Sequence, residues 1–360
     1  MSDPESPAPP PFPELGQAPP PLDKPIALRA TLRPWFRRPL FIGIGAAAAL
    51  LIALLLFLSP WFPHRHPEGE QAVTVTIAPG DSLSDAADKL EAAGVISSGG
   101  RFTLLARLLG SGDGIQAGEF AFYPGDGWSQ QLETLQNGGS IRRRIVIPEG
   151  LPSVLVQERL TAAPLMEGEV AIPAEGSILP ATYDYRRGMA RADLLAQMQA
   201  AMRAELARLW PQRSAAAVVR TPEEAIILAS IVEKETGKPE EQRLIAGVYS
   251  NRLRQNIPLQ ADPTVIYPVT RGRPLGRRIL RSELQDRGNA YNTYVRPGLP
   301  VGPITNPGRA SIAAVLNPEA TDFLYFVADG TGGHVFARTL AEHEANVARY
   351  YALQRERGER

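Results

Sequence analysis

Two glutamates, Glu233 and Glu235, stand at the end of a segment whose punctuation predicts a helix. Thr221 supplies a capping hydroxyl, Pro222 suits the first helical position and Glu224 the third. Thr236-Gly237, followed by Pro239, ends the helix. Leu228, Ile231 and Val232 form its apolar stripe, and Glu235 follows them by seven, four and three residues, so it continues the inward-facing line. Glu233 is rotated from it by roughly 200°, so the two carboxylates cannot form a dyad on one helix face. A carboxylate on the buried side of a helix end must be paired, hydrogen-bonded or protonated. On these residues alone two roles stay open: an ionised partner for an arginine elsewhere, the commoner outcome, or a proton donor kept neutral by burial.

Other chemistries find less support. The chain has no cysteine and four histidines, at 64, 66, 334 and 343, which removes disulfides, thiolate catalysis and cysteine-ligated zinc. His343-Glu344 opens an H-E-x-x-H pattern that Val347 breaks, and no G-x-S-x-G elbow occurs. His334 reads as structural. Gly112-x-Gly114-x-x-Ala117 follows a predicted helix and precedes a strand, the reverse of what a dinucleotide pyrophosphate requires. A formal net charge of +0 takes away the electrostatic case for a nucleic-acid partner. No metal or other cofactor is expected.

LASIVEKET at 228–236, Asn251-Arg252-Leu253, LQADPTVIY at 259–267, AYNTY at 290–294, GLPVGPITNPG at 298–308 and YFVADGTGGHVF at 325–336 form an ordered series. Taken together it resembles the signature of the endolytic murein transglycosylases, the MltG or YceG-like family. EGSILPATY at 175–183 matches an upstream element, with Ala181 where an aspartate is usual. The resemblance spans about 149–349. It implies that Glu235, second of the Glu-x-Glu pair, is the catalytic residue, which helix geometry singled out separately. It also implies cleavage of the MurNAc-GlcNAc β-1,4 bond without water. A protonated glutamate gives its proton to the leaving oxygen, and the MurNAc C6 hydroxyl closes on C1 to leave a 1,6-anhydro end. Because that nucleophile belongs to the substrate, one carboxyl group serves as acid and then as base. No second carboxylate at fixed spacing is then required, unlike ordinary glycosidases.

The neighbouring motifs suit a sugar site. Gln260 and Asp262 precede Pro263, which biases Asp262 to extended geometry and would aim it across a cleft. Tyr291, Asn292 and Tyr294 offer hydroxyls, an amide and aromatic faces, with Thr293 open to a loop-internal role. The expected partners are peptidoglycan glycan strands and, from the family's role near nascent strands, peptidoglycan synthases. The rival reading is a non-catalytic glycan-binding scaffold; the presence of Glu235, Gln260, Asp262 and the 290–294 loop argues against it.

The elements that must position these residues follow from composition. With 360 residues, 44% of them hydrophobic, the chain can hold more than one core. Residues 1–38 read as a proline-rich cytoplasmic tail, a tether more than a docking site. The charge-free run at 40–58, within a segment of 39–59, is long enough for one transmembrane helix, with Arg33, Arg37 and Arg38 before it and no basic cluster after it. That places the N-terminus in the cytoplasm and the rest outside the inner membrane. Residues 71–147 read as strand, Pro-Gly-Asp turn and helix, with helices at 102–109 and 128–135 and strands at 119–123 and 141–147. Their opening resembles a LysM glycan-binding module. Residues 148–350 read as a mixed α+β catalytic domain closing with a hairpin, 323–328 against 334–337, and a helix capped by Thr339 and Glu342. The arginine-rich stretch 271–287 reads as a solvated loop.

Overall fold

The computed structural model describes residues 39–358; the proline-rich tail and its arginines at 33, 37 and 38 lie outside the described residues. The chain divides into two compact units, 1–60 and 61–360. In the first, α1 (Pro39–Leu58) is a helix of 20 residues, about 30 Å long and so matched to a hydrocarbon core. Residues 42–57 of it are exposed. It is the helix among the described residues that is long and apolar enough to cross a membrane.

The second unit begins with β1 (Val73–Ile77), α2 (Leu83–Ala92), α3 (Gly99–Leu109), β2 (Gly118–Phe122) and α4 (Trp128–Asn137). β1 and β2 run antiparallel, Val75 opposite Phe120. Ser82 and Asp85 close a capping box on α2. Ser98 caps α3, which therefore starts three residues before the expected 102. The stretch after the apolar helix is tied down: the His66 ring stacks on Tyr123 with centroids 3.9 Å apart, and its Nδ1 lies 2.9 Å from Asp126 Oδ1.

β3 (Arg143–Val146) pairs antiparallel with β4 (Thr182–Tyr185) and not with β1 or β2. Between and after them, α5 (Ser153–Ala162) and α6 (Arg191–Leu209) enclose a core that includes Ile147, Val156, Leu160, Ile178, Leu194 and Met198. There follow α7 (Pro222–Glu235), α8 (Gln242–Arg254), α9 (Asp262–Thr270), α10 (Arg281–Leu284) and α11 (Arg309–Leu316). The hairpin β5 (Tyr325–Ala328) and β6 (His334–Ala337) precedes α12 (Leu340–Glu356). Among the described residues the sheets are three antiparallel pairs set among helices, a mixed α+β architecture.

α7 packs against α8, α9 and α11. Leu228, Ile231 and Val232 are fully buried in this second core beside Ile245, Ile312 and Val315, so the helix that carries the glutamates is clamped on several sides. Thr221 Oγ1 accepts from Glu224 N at 3.1 Å, and Thr236 turns extended at φ −137°. Both ends of the helix thus obey the sequence punctuation.

One local expectation is corrected. Asp262 is not extended; it is the first residue of α9, with Pro263 second. Proline disfavours a helical residue before it, but it also fits the first helical turn, where its missing N–H costs no bond. The second tendency prevails, and extended geometry moves back to Ala261, at φ −90° and ψ 112°.

Candidate active site

Glu235 is the last residue of α7. Parts of the residue remain accessible, but its Oε1 is sealed from solvent with no hydrogen-bond partner among the described residues. Loss of hydration raises the carboxyl's pKa most, the Tyr249 hydroxyl lowers it, the negative charge of Asp262 raises it again and the Arg252 guanidinium lowers it. The balance leaves Glu235 pushed up from 4.5 to about 7. Tyr249 is buried beneath it, edge-on to Phe326 with centroids 5.7 Å apart. Burial, reinforced by Glu235, holds the Tyr249 hydroxyl well above its ordinary range, so it remains a proton-bearing group beside the carboxyl.

Arg252, on α8, is spread over four acceptors: Leu324 O at 2.6 Å, Leu259 O at 2.9 Å, Pro258 O at 3.0 Å and Gln260 Oε1 at 3.2 Å. It also lies over the Tyr325 ring, 5.0 Å from the centroid. One buried cation therefore ties β5 to the turn that leads into α9. In that turn Gln260 adopts φ +53°, a left-handed conformation that costs a non-glycine residue about 1 kcal/mol or more and persists only where its surroundings over-determine it. Here those surroundings are Arg252 on its side chain and Thr293 O accepting from its N–H at 3.0 Å.

The 290–294 loop divides its labours. The Tyr294 hydroxyl donates to Asp262 Oδ1, and Tyr294 is pushed up by burial and by that carboxylate. Tyr294, Asp262, Gln260 and Glu235 thus share one neighbourhood. Tyr291 faces another: its ring lies 5.0 Å from Tyr267, and Glu175 adds to the upward push that burial gives its hydroxyl. Asn292 is buried, with its Nδ2 given to Glu283 O, Leu284 O and Asp286 O and its Oδ1 accepting from Tyr294 N. In this structure it holds the loop that displays the tyrosines. Thr293 is buried likewise, docked on α9 through Thr264 Oγ1 at 2.8 Å and Ala261 N at 3.0 Å.

Glu233 points away from Glu235, as the rotation demanded. Its Oε2 accepts from Gly308 N at 3.0 Å and Ser311 Oγ at 2.6 Å, so it caps α11 from a neighbouring helix. Replacing Glu233 with alanine should cost about 1–2 kcal/mol of stability through the lost cap. Urea denaturation measures it, and an intact stability with a catalytic loss matching that of a Glu235 variant would contradict this division of roles. His334 Nδ1 lies 2.7 Å from Glu241 Oε2, and the same carboxylate oxygen accepts from Thr236 Oγ1 at 3.1 Å; the pair braces the end of α7. Among the described residues no group of three or more His, Cys, Asp or Glu side chains is arranged to hold a metal ion.

Tyr249 and Arg252 are the site residues that sequence reasoning did not select. Their spacing on α8, three apart, puts them on one helix face, and the signal the sequence offers for them is an arginine on an otherwise apolar face.

A family model described as the YceG-like family matches residues 75–349. An endolytic murein transglycosylase of Streptococcus pneumoniae serotype 2 (strain D39) is 28% identical over 326 residues, covering 77% of this chain and 58% of the relative. An endolytic murein transglycosylase of Bacillus subtilis (strain 168) is 34% identical over 188 residues, covering 51% of this chain and 50% of the relative. The chain thus spans little more than half the length of these curated relatives. A YceG-like protein of Listeria monocytogenes, solved by crystallography, is 27% identical and aligns over 77% of this chain and 99% of its own, with a TM-score of 0.45.

Proposed function

The chain belongs to the YceG-like family, and we propose that it is a membrane-anchored lytic transglycosylase that cuts peptidoglycan glycan strands internally at the MurNAc-GlcNAc β-1,4 bond. The observation that carries this reading is a carboxyl, Glu235, at the end of a clamped helix with its pKa pushed up to about 7. An acid of that strength is part protonated and part ionised at neutrality, so the same group can give a proton and take one back.

Protonated Glu235 gives its proton to the glycosidic oxygen as the C1–O bond breaks, and the GlcNAc end leaves as an alcohol. Positive charge grows at C1 of MurNAc, and in this reading the negative charge of Asp262 stabilises it. The carboxylate of Glu235 then takes the proton of the MurNAc C6 hydroxyl while that oxygen bonds to C1. Protons balance and no water is consumed. Ordinary glycosidases instead need a second carboxylate free to act as nucleophile or base; here Asp262 is engaged by the Tyr294 hydroxyl and Glu233 by the α11 terminus.

Gln260, Asp262 and Tyr294 are assigned to substrate beside the bond that breaks, Tyr291 to a sugar further along the strand, and Asn292 to the loop between them. Residues 71–147 are taken as a LysM-like module. The arginines before α1 set the second unit outside the cytoplasmic membrane, where strands are made and where synthases work. The test is product chemistry. Strands digested in ¹⁸O-labelled water should gain 1,6-anhydro-MurNAc ends free of label, whereas labelled reducing ends would make the protein a hydrolase with Asp262 as its base.

A further inference from the structure

Away from Glu235, a cleft of about 440 Å³ opens where β4 runs into α6, lined by Arg142, Asp184, Tyr185, Arg186, Arg187 and Gln197 among others. Its charge is unbalanced. Arg142 meets Asp184 only at 3.9 Å, with both side chains about half exposed. Arg187 stands 3.5 Å from Glu119, a carboxylate already held at 2.6 Å by Arg143, so one negative charge is divided between two guanidinium groups. The exposed Arg186 side chain has no partner among the described residues. Three arginines thus converge on a space that contains one acid, Asp184.

The cleft also lies at a seam. Glu119 belongs to β2, in the segment that runs from β1 to α4, while Arg143 and Asp184 belong to the β3–β4 pair of the domain that carries Glu235. A ligand held here would touch the side of the catalytic domain that borders the β1–α4 segment.

We propose that this cleft binds carboxylate groups of the peptides carried by the glycan strand, an inference that rests on the proposed function. Guanidinium groups recognise carboxylates bidentately and with strong directionality, and a site for uncharged sugar rings alone would have no use for surplus positive charge. Arg186, free of internal obligations, is the reading residue. Arg142 and Arg187 shape the field around it, Asp184 weakens it, and the Gln197 amide adds a neutral donor.

The test measures affinity without turnover, using the full-length chain in detergent with the E235Q substitution. Its Kd is compared for glycan strands bearing their peptides, for the same strands stripped of peptide and amidated at the lactyl carboxyls this exposes, and for strands whose peptide carboxyls have been amidated. Peptide-bearing strands should bind about tenfold tighter than either of the others, the size expected of one charge-assisted pair. Adding R186E should bring that ratio close to one, and D184N should raise it. Equal affinity for all three strands, a preference that survives amidation, or a ratio untouched by R186E would overturn the proposal. Labelled reducing ends from the wild-type chain would sink the transglycosylase reading and leave this ratio standing. A ratio of one alongside anhydro products would sink the peptide site alone.

Discussion

Glu235→Gln should lower the rate of glycan cleavage by about 10³-fold or more, near the upper part of what one general acid–base group supplies, while stabilising the protein at pH 8. The two effects have one cause. Burial pushes the Glu235 carboxyl from 4.5 to about 7, so the folded chain binds this proton more tightly than the unfolded chain does. The associated stability is complete below about 4.5 and is lost as pH rises through about 7. Between those limits the wild type forfeits about 3 kcal/mol relative to a side chain that cannot ionise. Glutamine keeps the shape and carries no charge. Urea denaturation should find the two proteins equal at pH 4 and the variant more stable at pH 8. Parallel stabilities across that range would mean that folding leaves the carboxyl at its ordinary value, and a variant weaker by several kcal/mol at pH 8 would mean that Glu235 is an ionised partner in a buried pair.

Glu235 was legible because its position is a local matter: an apolar stripe, a capped start and a glycine-proline stop fix the face on which it falls. Glu233 was legible for the same reason, though only negatively. That it points elsewhere follows from helix rotation; that it caps α11 depends on Gly308 and Ser311, some 75 residues on, and no period reveals that. The end of α7, the hairpin near 325–337 and the Thr339 capping box likewise follow from short-range signals. The turn before Asp262 did not, because proline carries two opposed local preferences and its surroundings, Thr293 from a loop further along the chain and Arg252 from the preceding helix, hold the turn that was formed. The asymmetry within 290–294 was hidden too. Side chains of similar chemistry stand side by side there, and only their tertiary neighbours separate Tyr294, on Asp262, from Tyr291, on Tyr267.

Arg252→Met should be the most damaging change outside the acid itself, and it should act on both stability and pH dependence. The guanidinium satisfies the carbonyls of Leu324, Leu259 and Pro258 and the side chain of Gln260. An apolar chain of similar length fills much of the space and leaves those acceptors without a donor, at a cost of about 3–5 kcal/mol. Gln260, no longer held in its left-handed conformation, should relax, and KM should rise. The second effect is electrostatic. Arg252 lowers the Glu235 pKa; without it the carboxyl ionises still less readily. Because the proposed reaction starts from protonated Glu235, kcat/KM of the wild type should fall as pH rises through about 7, and in R252M that fall should move to higher pH. Lysine at the same position keeps the charge but cannot span four acceptors. Arg252→Lys should therefore lose stability while its alkaline limb stays near that of the wild type. A limb in R252M that coincides with the wild-type limb would show that Arg252 only holds β5 and the α9 turn in place, and that the proton affinity of Glu235 is set without it.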